Sequence, residues 1–278
     1  MWFALRGLWA DGPGSGGQPA AAFGSAAGAI GLATIAALVA ANLVTTAGLA
    51  QSLTACFGPT PPVRFVTMLR LMAASQLVNY LPAPPGLRAG LVGRAEYLKR
   101  RHGLRRRDAG YVLAAALGLT LLTAAAVAAA PLLVVTLNAR RPWAWAGGGL
   151  LLILLSVTCG RAAARLPGVG ARGYGWVAWR AADLLAQAGR LAVACVMVGA
   201  PVSFGAATLM AAGAVLAKLA PLTPNGLGVS EWAVAGTAAA FSPLDAATGA
   251  AAALLDRVAE VAVSVAAGGW GLWGLRRG

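Results

Sequence analysis

Side chains that could hold an anion flank a run of prolines early in the sequence. They are Asn79, Arg88, Arg94 and Tyr97. A helix that starts after a break has free N–H groups and a partial positive charge at its N-terminus, and nearby arginines would make that end suit a phosphate or a carboxylate. The alternative is that these arginines extend a cytoplasmic basic patch. The residue types leave both interpretations open.

A second polar stretch, residues 221–231, lies deep in apolar sequence and reads PLTPNGLGVSE. Proline removes a backbone donor, and Gly226 and Gly228 allow backbone conformations that other residues avoid. The stretch therefore predicts a helix, a break and a second helix that begins near residue 230. Asn225, like Asn79, could bond either the freed backbone or a ligand.

Glu231 at the end of this stretch has two interpretations. It could be an ordinary acid in the first turn of a helix, or it could pair with a buried arginine, for which Arg257 and Arg190 are the candidates. Asp256 and Glu260 lie one turn apart on the helix of Arg257, so a purely structural pair within that helix is a further alternative.

The sequence contains few residues of the types that perform catalysis. It contains eight Asp and Glu, one His and three scattered Cys. It lacks the usual motifs of serine hydrolases, zinc proteases, P-loop proteins and dinucleotide-binding proteins. We therefore expect no enzyme activity, no metal site and no cofactor.

The composition predicts an integral membrane protein. Hydrophobic residues make up 59% of the 278 residues, charged residues make up 11%, and the mean hydropathy is +0.73. Several apolar runs exceed the roughly 18–20 residues that cross a bilayer. The net charge of +14 comes from basic residues in short loops, which favours membrane topology and anionic headgroups over nucleic acid.

The expected fold is all-α and polytopic, with about 5–7 transmembrane helices. Residues 1–27 are expected to be a flexible segment and residues 28–278 a single transmembrane domain. Two elements, residues 63–98 and 202–241, are expected to be broken helices. The expected full spans are residues 29–56, 109–137, 143–159, 181–200 and 246–275.

Basic loops predict the orientation in a cell inner (plasma) membrane. Residues 99–107, a loop at 160–180 and the C-terminus should be cytoplasmic. Residues 202–241 must then enter and leave on the outer side, as a re-entrant element. Residues 63–98 are either re-entrant from the inside, which would make the two elements inverted repeats, or begin with a full span at 63–81.

Both stretches resemble signatures of the flippase-like transmembrane family, typified by the membrane domain of lysylphosphatidylglycerol synthases. Asn225 stands where that family usually has a first glycine, and Ala83-Pro84-Pro85 lengthens the first signature. An arginine in the last span, here Arg257, also fits. The matching residues are Asn79-Tyr-Leu-Pro82, Arg88-Ala-Gly90, Arg94, Tyr97-Leu98 and Pro221 to Glu231.

The resemblance implies binding or translocation of an anionic lipid or lipid-linked headgroup across the membrane. Arg88 and Arg94 would neutralise the phosphate, and Glu231 with Arg257 would form a gate. The alternatives are a non-transporting subunit that anchors or regulates a lipid- or glycan-modifying partner enzyme, and a small-solute secondary transporter. Lysyl transfer to lipid is not expected from these residues.

Overall fold

The computed structural model describes residues 26–57, 63–81, 89–136, 157–158, 161, 172–219 and 223–277. The described part is helical throughout. Its eight α-helices are α1 (Ala26–Phe57), α2 (Phe65–Val78), α3 (Ala89–His102), α4 (Arg106–Thr136), α5 (Arg172–Met197), α6 (Phe204–Leu219), α7 (Val229–Phe241) and α8 (Ala246–Arg277).

Two of these helices are long and apolar enough to cross a bilayer. They contain the segments Gly28–Cys56 in α1 and Arg107–Ala129 in α4. Helices α5 and α8 have 26 and 32 residues, but charged side chains interrupt their apolar character. They therefore have the length of a span and the composition of a protein-facing helix.

Two helix pairs consist of elements too short to cross a bilayer alone. Helices α2 and α3 have 14 residues each, and α6 and α7 have 16 and 13. At about 1.5 Å per residue each rises about 20–24 Å, less than the roughly 30 Å of a hydrocarbon core. The predicted break between α6 and α7 is confirmed: a short 3-10 helix, Pro224–Gly226, joins them. The first break, residues 82–88, lies outside the described residues.

The largest apolar cluster of the described residues packs six helices together, α1 and α4 to α8. Its buried members include Ile35 of α1, Leu184 of α5, Met210 of α6, Ala238 of α7 and Ala252 of α8. Helix α1 lies along α5, α2 lies along α8, and the α6–α7 pair packs against both α5 and α8. The two short pairs are thus held by the long helices that carry charge.

A glycine stripe brings α8 into backbone contact with α2. A Cβ at Gly268 would lie 2.5 Å from the Cβ of Leu77, and one at Gly271 would clash with the carbonyl oxygen of Arg70. A Cβ at Gly274 would lie 2.6 Å from Arg70 Nε. Small residues allow such close helix contact in membranes, where van der Waals packing replaces the hydrophobic effect between helices.

The prediction of a loop at residues 160–180 is wrong for residues 172–180, which are helical. Helix α5 begins at Arg172, because Trp176, Val177 and Leu184 fall on one buried helical face. The glycines and arginines of this segment resembled a loop, but Arg180 pairs with Asp183 one turn further along the helix.

The remaining expected boundaries shift by a few residues. Helix α1 begins at Ala26, within the segment 1–27 that was expected to be flexible, and residues 1–25 of that segment lie outside the described part. The expected span at 143–159 also lies outside it, apart from residues 157–158.

We predict that Gly271→Ala destabilises the protein relative to Gly269→Ala. The added methyl at position 271 would force α2 from α8, and overpacking of this kind costs about 1–3 kcal/mol. Gly269 lies on the same helix and its added Cβ would meet no atom within 4 Å, so both variants gain the same helix propensity. Thermal unfolding in detergent measures the difference, and a Tm for Gly271→Ala equal to that of the control would contradict close α2–α8 contact.

Candidate functional site

A cavity of about 290 Å³ lies where the α2–α3 and α6–α7 helix pairs, the two elements predicted to be broken, approach each other. The first element contributes Asn79 and Arg94, the second contributes Lys218 and Asn225, and Glu260 of α8 also lines it. Side chains of α1, α4 and α5 complete the walls. Two stretches that the sequence singled out independently therefore meet at one cavity, close in size to the smaller pockets that bind small molecules.

Arg94 is a partly buried cation on the wall of this cavity. Its Nη1 lies 2.7 Å from the sulfur of Met72, which is a weak acceptor. No carboxylate pairs with it among the residues that the structure describes. Arg94 is thus placed to receive an anion from outside the protein.

Asn79 and Gly90 bring the start of α3, the helix of Arg94, close to α2. The Asn79 Oδ1 accepts a hydrogen bond from the Gly90 N–H at 3.0 Å, which satisfies one free donor at the start of α3. A side chain at Gly90 would clash with the carbonyl oxygen of Ser75. The amide oxygen of Asn79 therefore bonds freed backbone, one of the two roles predicted for it.

Glu260 is the centre of a buried ion-pair network. It accepts hydrogen bonds from Lys218 Nζ at 3.1 Å, Arg190 Nη2 at 3.3 Å and Arg257 Nη1 at 3.3 Å. These cations come from α6, α5 and α8 itself. A single carboxylate thus joins three helices at the side of the cavity.

Glu231 pairs with Arg257, as one sequence interpretation proposed. Arg257 Nε donates to Glu231 Oε1 at 2.7 Å, and its Nη2 donates to Ser230 Oγ at 2.8 Å and to the Asn225 carbonyl at 3.1 Å. The helix cap position belongs to Gly228. Glu231 thus forms the ion pair, and it also lies in the first turn of α7, as the other interpretation expected.

Arg190 was the other candidate partner for Glu231, and that pairing is wrong. Arg190 binds Asp256 through Nε at 2.7 Å and Nη2 at 2.6 Å, and its Nη1 donates to Asn42 at 3.1 Å. The bidentate geometry matches a planar guanidinium to a carboxylate. Asp256 and Glu260, one turn apart on α8, both accept hydrogen bonds from Arg190 of α5. These two carboxylates are therefore not confined to ion pairs within α8.

Sequence reasoning missed part of this site. Asp183 accepts hydrogen bonds from Asn42 and Gln187 and pairs with Arg180. Asp183, Gln187 and Arg190 recur at helical spacing on one face of an apolar helix, which was the signal available. Lys218 carried no such signal, because a lysine at the end of an apolar helix commonly extends to the membrane surface.

The backbone at the second break explains one departure from the family signature. Asn225 has φ 48° and ψ 27°, in the left-handed region that glycine favours and asparagine tolerates. Gly226 and Gly228 follow with φ of 70° and 84°. A Cβ at Gly226 would also lie 3.2 Å from the Cα of Lys218. Asparagine in place of glycine therefore keeps the local conformation.

Tyr97, a predicted site residue, does not line the cavity. Tyr97 packs in a separate cluster with Leu98 and lies with its ring centroid 6.1 Å from that of His102. Arg88 lies outside the described residues. Within the part of the chain that the structure describes, no group of three His, Cys, Asp or Glu side chains could hold a metal ion.

Residues 171–268 match the family model described as the lysylphosphatidylglycerol synthase TM region. The match begins just before α5 and ends within α8, so it includes the second broken element and every residue of the Glu260 network. The predicted resemblance is confirmed over this segment, while the first signature, around Asn79 to Leu98, lies outside it. Neither the curated proteins nor the solved structures contain a significant match to the chain.

We predict that Asn225→Gly is tolerated and Asn225→Val is not. Both variants keep the carbonyl that receives Arg257, but a β-branched residue in the left-handed region costs at least about 1–2 kcal/mol. Thermal unfolding in detergent distinguishes them. Equal stability of the two variants would show that position 225 does not hold this conformation.

A double-mutant cycle on Glu231 and Arg257 should give a coupling energy of about 1–3 kcal/mol. The pair is buried, and removal of one partner leaves an uncompensated charge. The variants are Glu231→Gln, Arg257→Gln and the double substitution, compared by unfolding in detergent. The matched control is the pair of Glu96 and Arg100 on α3, whose Arg100 side chain is 76% exposed and whose coupling should be about 0.2–0.5 kcal/mol. Equal coupling in the two cycles would show that the buried pair is not formed.

Proposed function

We propose that the chain binds an anionic lipid or lipid-linked headgroup and translocates it between the leaflets, because residues 171–268 match the model of the lysylphosphatidylglycerol synthase TM region family. Cavity geometry and charge support this proposal. The cavity receives side chains from both broken elements, the arrangement by which transporters expose one site to either side of a membrane.

The single observation that carries the proposal is the position of Arg94. A charged guanidinium in an apolar helix bundle is costly unless an anion compensates it. No described carboxylate does so, and the side chain lines the cavity. An anionic headgroup would supply the missing charge, with its acyl or prenyl chain remaining in lipid beside the bundle.

Lys218 offers the headgroup a second cation across the cavity. Its Nζ lies 3.1 Å from Glu260 Oε2, and its side chain is 23% exposed. A phosphate that leaves Arg94 would replace Glu260 as the partner of the Lys218 ammonium. Glu260 would still be compensated by Arg190 and Arg257. The headgroup would thus cross the cavity without meeting an uncompensated carboxylate.

Ion pairs also form the gate in this mechanism. The α6–α7 pair is attached to α8 through Lys218–Glu260 and Glu231–Arg257. Release of Lys218 by an incoming phosphate would loosen α6 while Glu231 still holds α7. In this proposal the chain lies in the inner (plasma) membrane of the cell. The α6–α7 pair would enter and leave the membrane on its outer side, as a re-entrant element. The cytoplasmic segments would be residues 99–107, the arginines at 160–180 and the C-terminus.

Arg94→Gln should slow lipid translocation at least about tenfold, the loss of one charge-assisted contact in a low-dielectric site. Glu231→Gln should slow translocation to a similar extent, because Arg257 loses a carboxylate partner and α7 loses the ion pair that attaches it to α8. The assay is chemical quenching of a fluorescent anionic phospholipid in proteoliposomes. Arg105→Gln, which removes an exposed charge after α3, is the control and should translocate at the wild-type rate.

Unchanged rates for both Arg94→Gln and Glu231→Gln would overturn the proposed mechanism. A wild-type protein that binds lipid but moves none would instead identify a non-transporting membrane subunit. Uptake of a soluble substrate driven by an ion gradient, without lipid movement, would identify a secondary transporter.

A further inference from the structure

We infer that Tyr80, in the turn that ends α2, is a positioning residue for Arg257. It holds the Arg257 guanidinium on Glu231 and so connects the α2–α3 pair to the ion pair that attaches α7 to α8. Its effect on translocation rests on the proposed function, whereas its effect on α7 can be measured without any lipid.

Tyr80 lies where the first helix pair meets the second break. Its N–H donates to the Leu77 carbonyl at 3.1 Å, which places it one turn beyond the packed part of α2. The Cζ atom of Arg257 lies over its ring, 5.9 Å from the ring centroid. Its hydroxyl lies close to the side chain of Asn225. One partly buried side chain of the first pair therefore contacts both α8 and the second break.

The glycine stripe explains why Tyr80 reaches this part of α8. Gly274 and Gly271 lie against Arg70, early in α2, and Gly268 lies against Leu77, near its end. The two helices therefore run antiparallel, and residues beyond the end of α2 approach earlier residues of α8. Arg257 lies in that direction, so close backbone packing fixes the position from which Tyr80 contacts it.

Arg257 holds the start of the second element at three points. Its Nε donates to Glu231, and its Nη2 donates to the Ser230 hydroxyl and the Asn225 carbonyl. An aromatic ring attracts a cation without taking up an N–H donor. The ring of Tyr80 can therefore orient Arg257 while these hydrogen bonds remain.

The orientation of Arg257 matters because two carboxylates compete for it. Its Nε lies 2.7 Å from Glu231 of α7, and its Nη1 lies 3.3 Å from Glu260 of its own helix. Glu260 has two further cationic partners and can spare this contact. Without the ring of Tyr80, Arg257 would be free to turn toward Glu260, and α7 would lose its ion pair with α8.

Asn79, the neighbour of Tyr80, connects the same turn to α3. Its Oδ1 accepts the hydrogen bond from the Gly90 N–H at 3.0 Å, at the start of the helix that carries Arg94. Two consecutive residues thus contact the helix of the candidate anion-binding side chain and the arginine that holds α7. Packed contacts of this kind can carry coupling between sites, and a measured coupling is the proof that they do.

Hydrogen–deuterium exchange of the purified full chain in detergent tests this link, because exchange reports local opening. Tyr80→Leu removes the ring and should raise exchange in residues 229–241, helix α7, at least about fivefold. Exchange in α1 should change less than about twofold, since only general destabilisation would raise it there. Unchanged exchange in α7, or an equal increase in both helices, would overturn the inference.

Three further variants separate the ring from its volume and its burial. Tyr80→Phe keeps the ring and should leave exchange in α7 within about twofold of wild type, and Tyr80→Met, which keeps apolar volume without a ring, should raise it as Tyr80→Leu does. Tyr97→Leu is the matched control, because Tyr97 is also a partly buried tyrosine but packs in a separate cluster. It should leave α7 unchanged, and an increase there equal to that of Tyr80→Leu would contradict a specific role for Tyr80.

The Glu231→Gln background shows whether Tyr80 acts through the ion pair. Glu231→Gln alone should raise exchange in α7, because the pair with Arg257 is lost. Adding Tyr80→Leu should then raise it no further, since two residues that act through one interaction are not additive. Additive increases would show that Tyr80 stabilises α7 by another route and would overturn the inference.

Translocation gives a separate test of the consequence. Tyr80 does not line the cavity, so Tyr80→Leu should leave the Kd for the fluorescent anionic phospholipid within about twofold and slow its translocation at least about fivefold. A wild-type rate in Tyr80→Leu would overturn the inference even if exchange in α7 rises. A wild-type protein that moves no lipid would overturn the proposed function alone, because the exchange of α7 still decides whether Tyr80 positions Arg257.

Discussion

Compensation of buried charge is the constraint on which this structure depends. In a helix bundle surrounded by lipid, a charged side chain that water cannot reach needs an opposite charge, either from the protein or from a bound ligand. Glu260, 5% exposed, finds three, and Arg190 and Arg257 are each bound by two carboxylates. Beside the apolar packing, these ion pairs link α5, α6 and α7 to α8.

The local features of the site could be predicted from the sequence. Pro and Gly around Asn225 predicted the break, since few residues adopt positive φ, and an acid in the first turn of the next helix made Glu231 a candidate for pairing. The partner assignment between Arg190 and Arg257 could not be predicted, because it depends on which helix lies beside which. Arg190 and Asp256 are 66 residues apart, and no periodicity within α5 indicates which face of α8 it meets.

The prediction of a loop at residues 160–180 was wrong in its last part for a related reason, because the helix there depends on tertiary contacts. Glycine and arginine between residues 160 and 180 resemble a loop when only local propensity is considered. Tertiary burial of Trp176 and Val177 supports helix there instead, and the gain from packing exceeds the helix propensity that two glycines lose. The cavity likewise has no local signal, since it is a space between elements that are distant in sequence.

The sharing of Glu260 among three cations has an evolutionary consequence. A simple ion pair can change by reversing both charges, which needs two substitutions. Reversal at position 260 would place a cation beside Arg190, Lys218 and Arg257, which lie on three different helices, so no single second substitution restores the balance. Relatives of this chain should therefore keep an acid at this position or replace the whole group together, and lineages that lose it should have lost the function of the cavity as well.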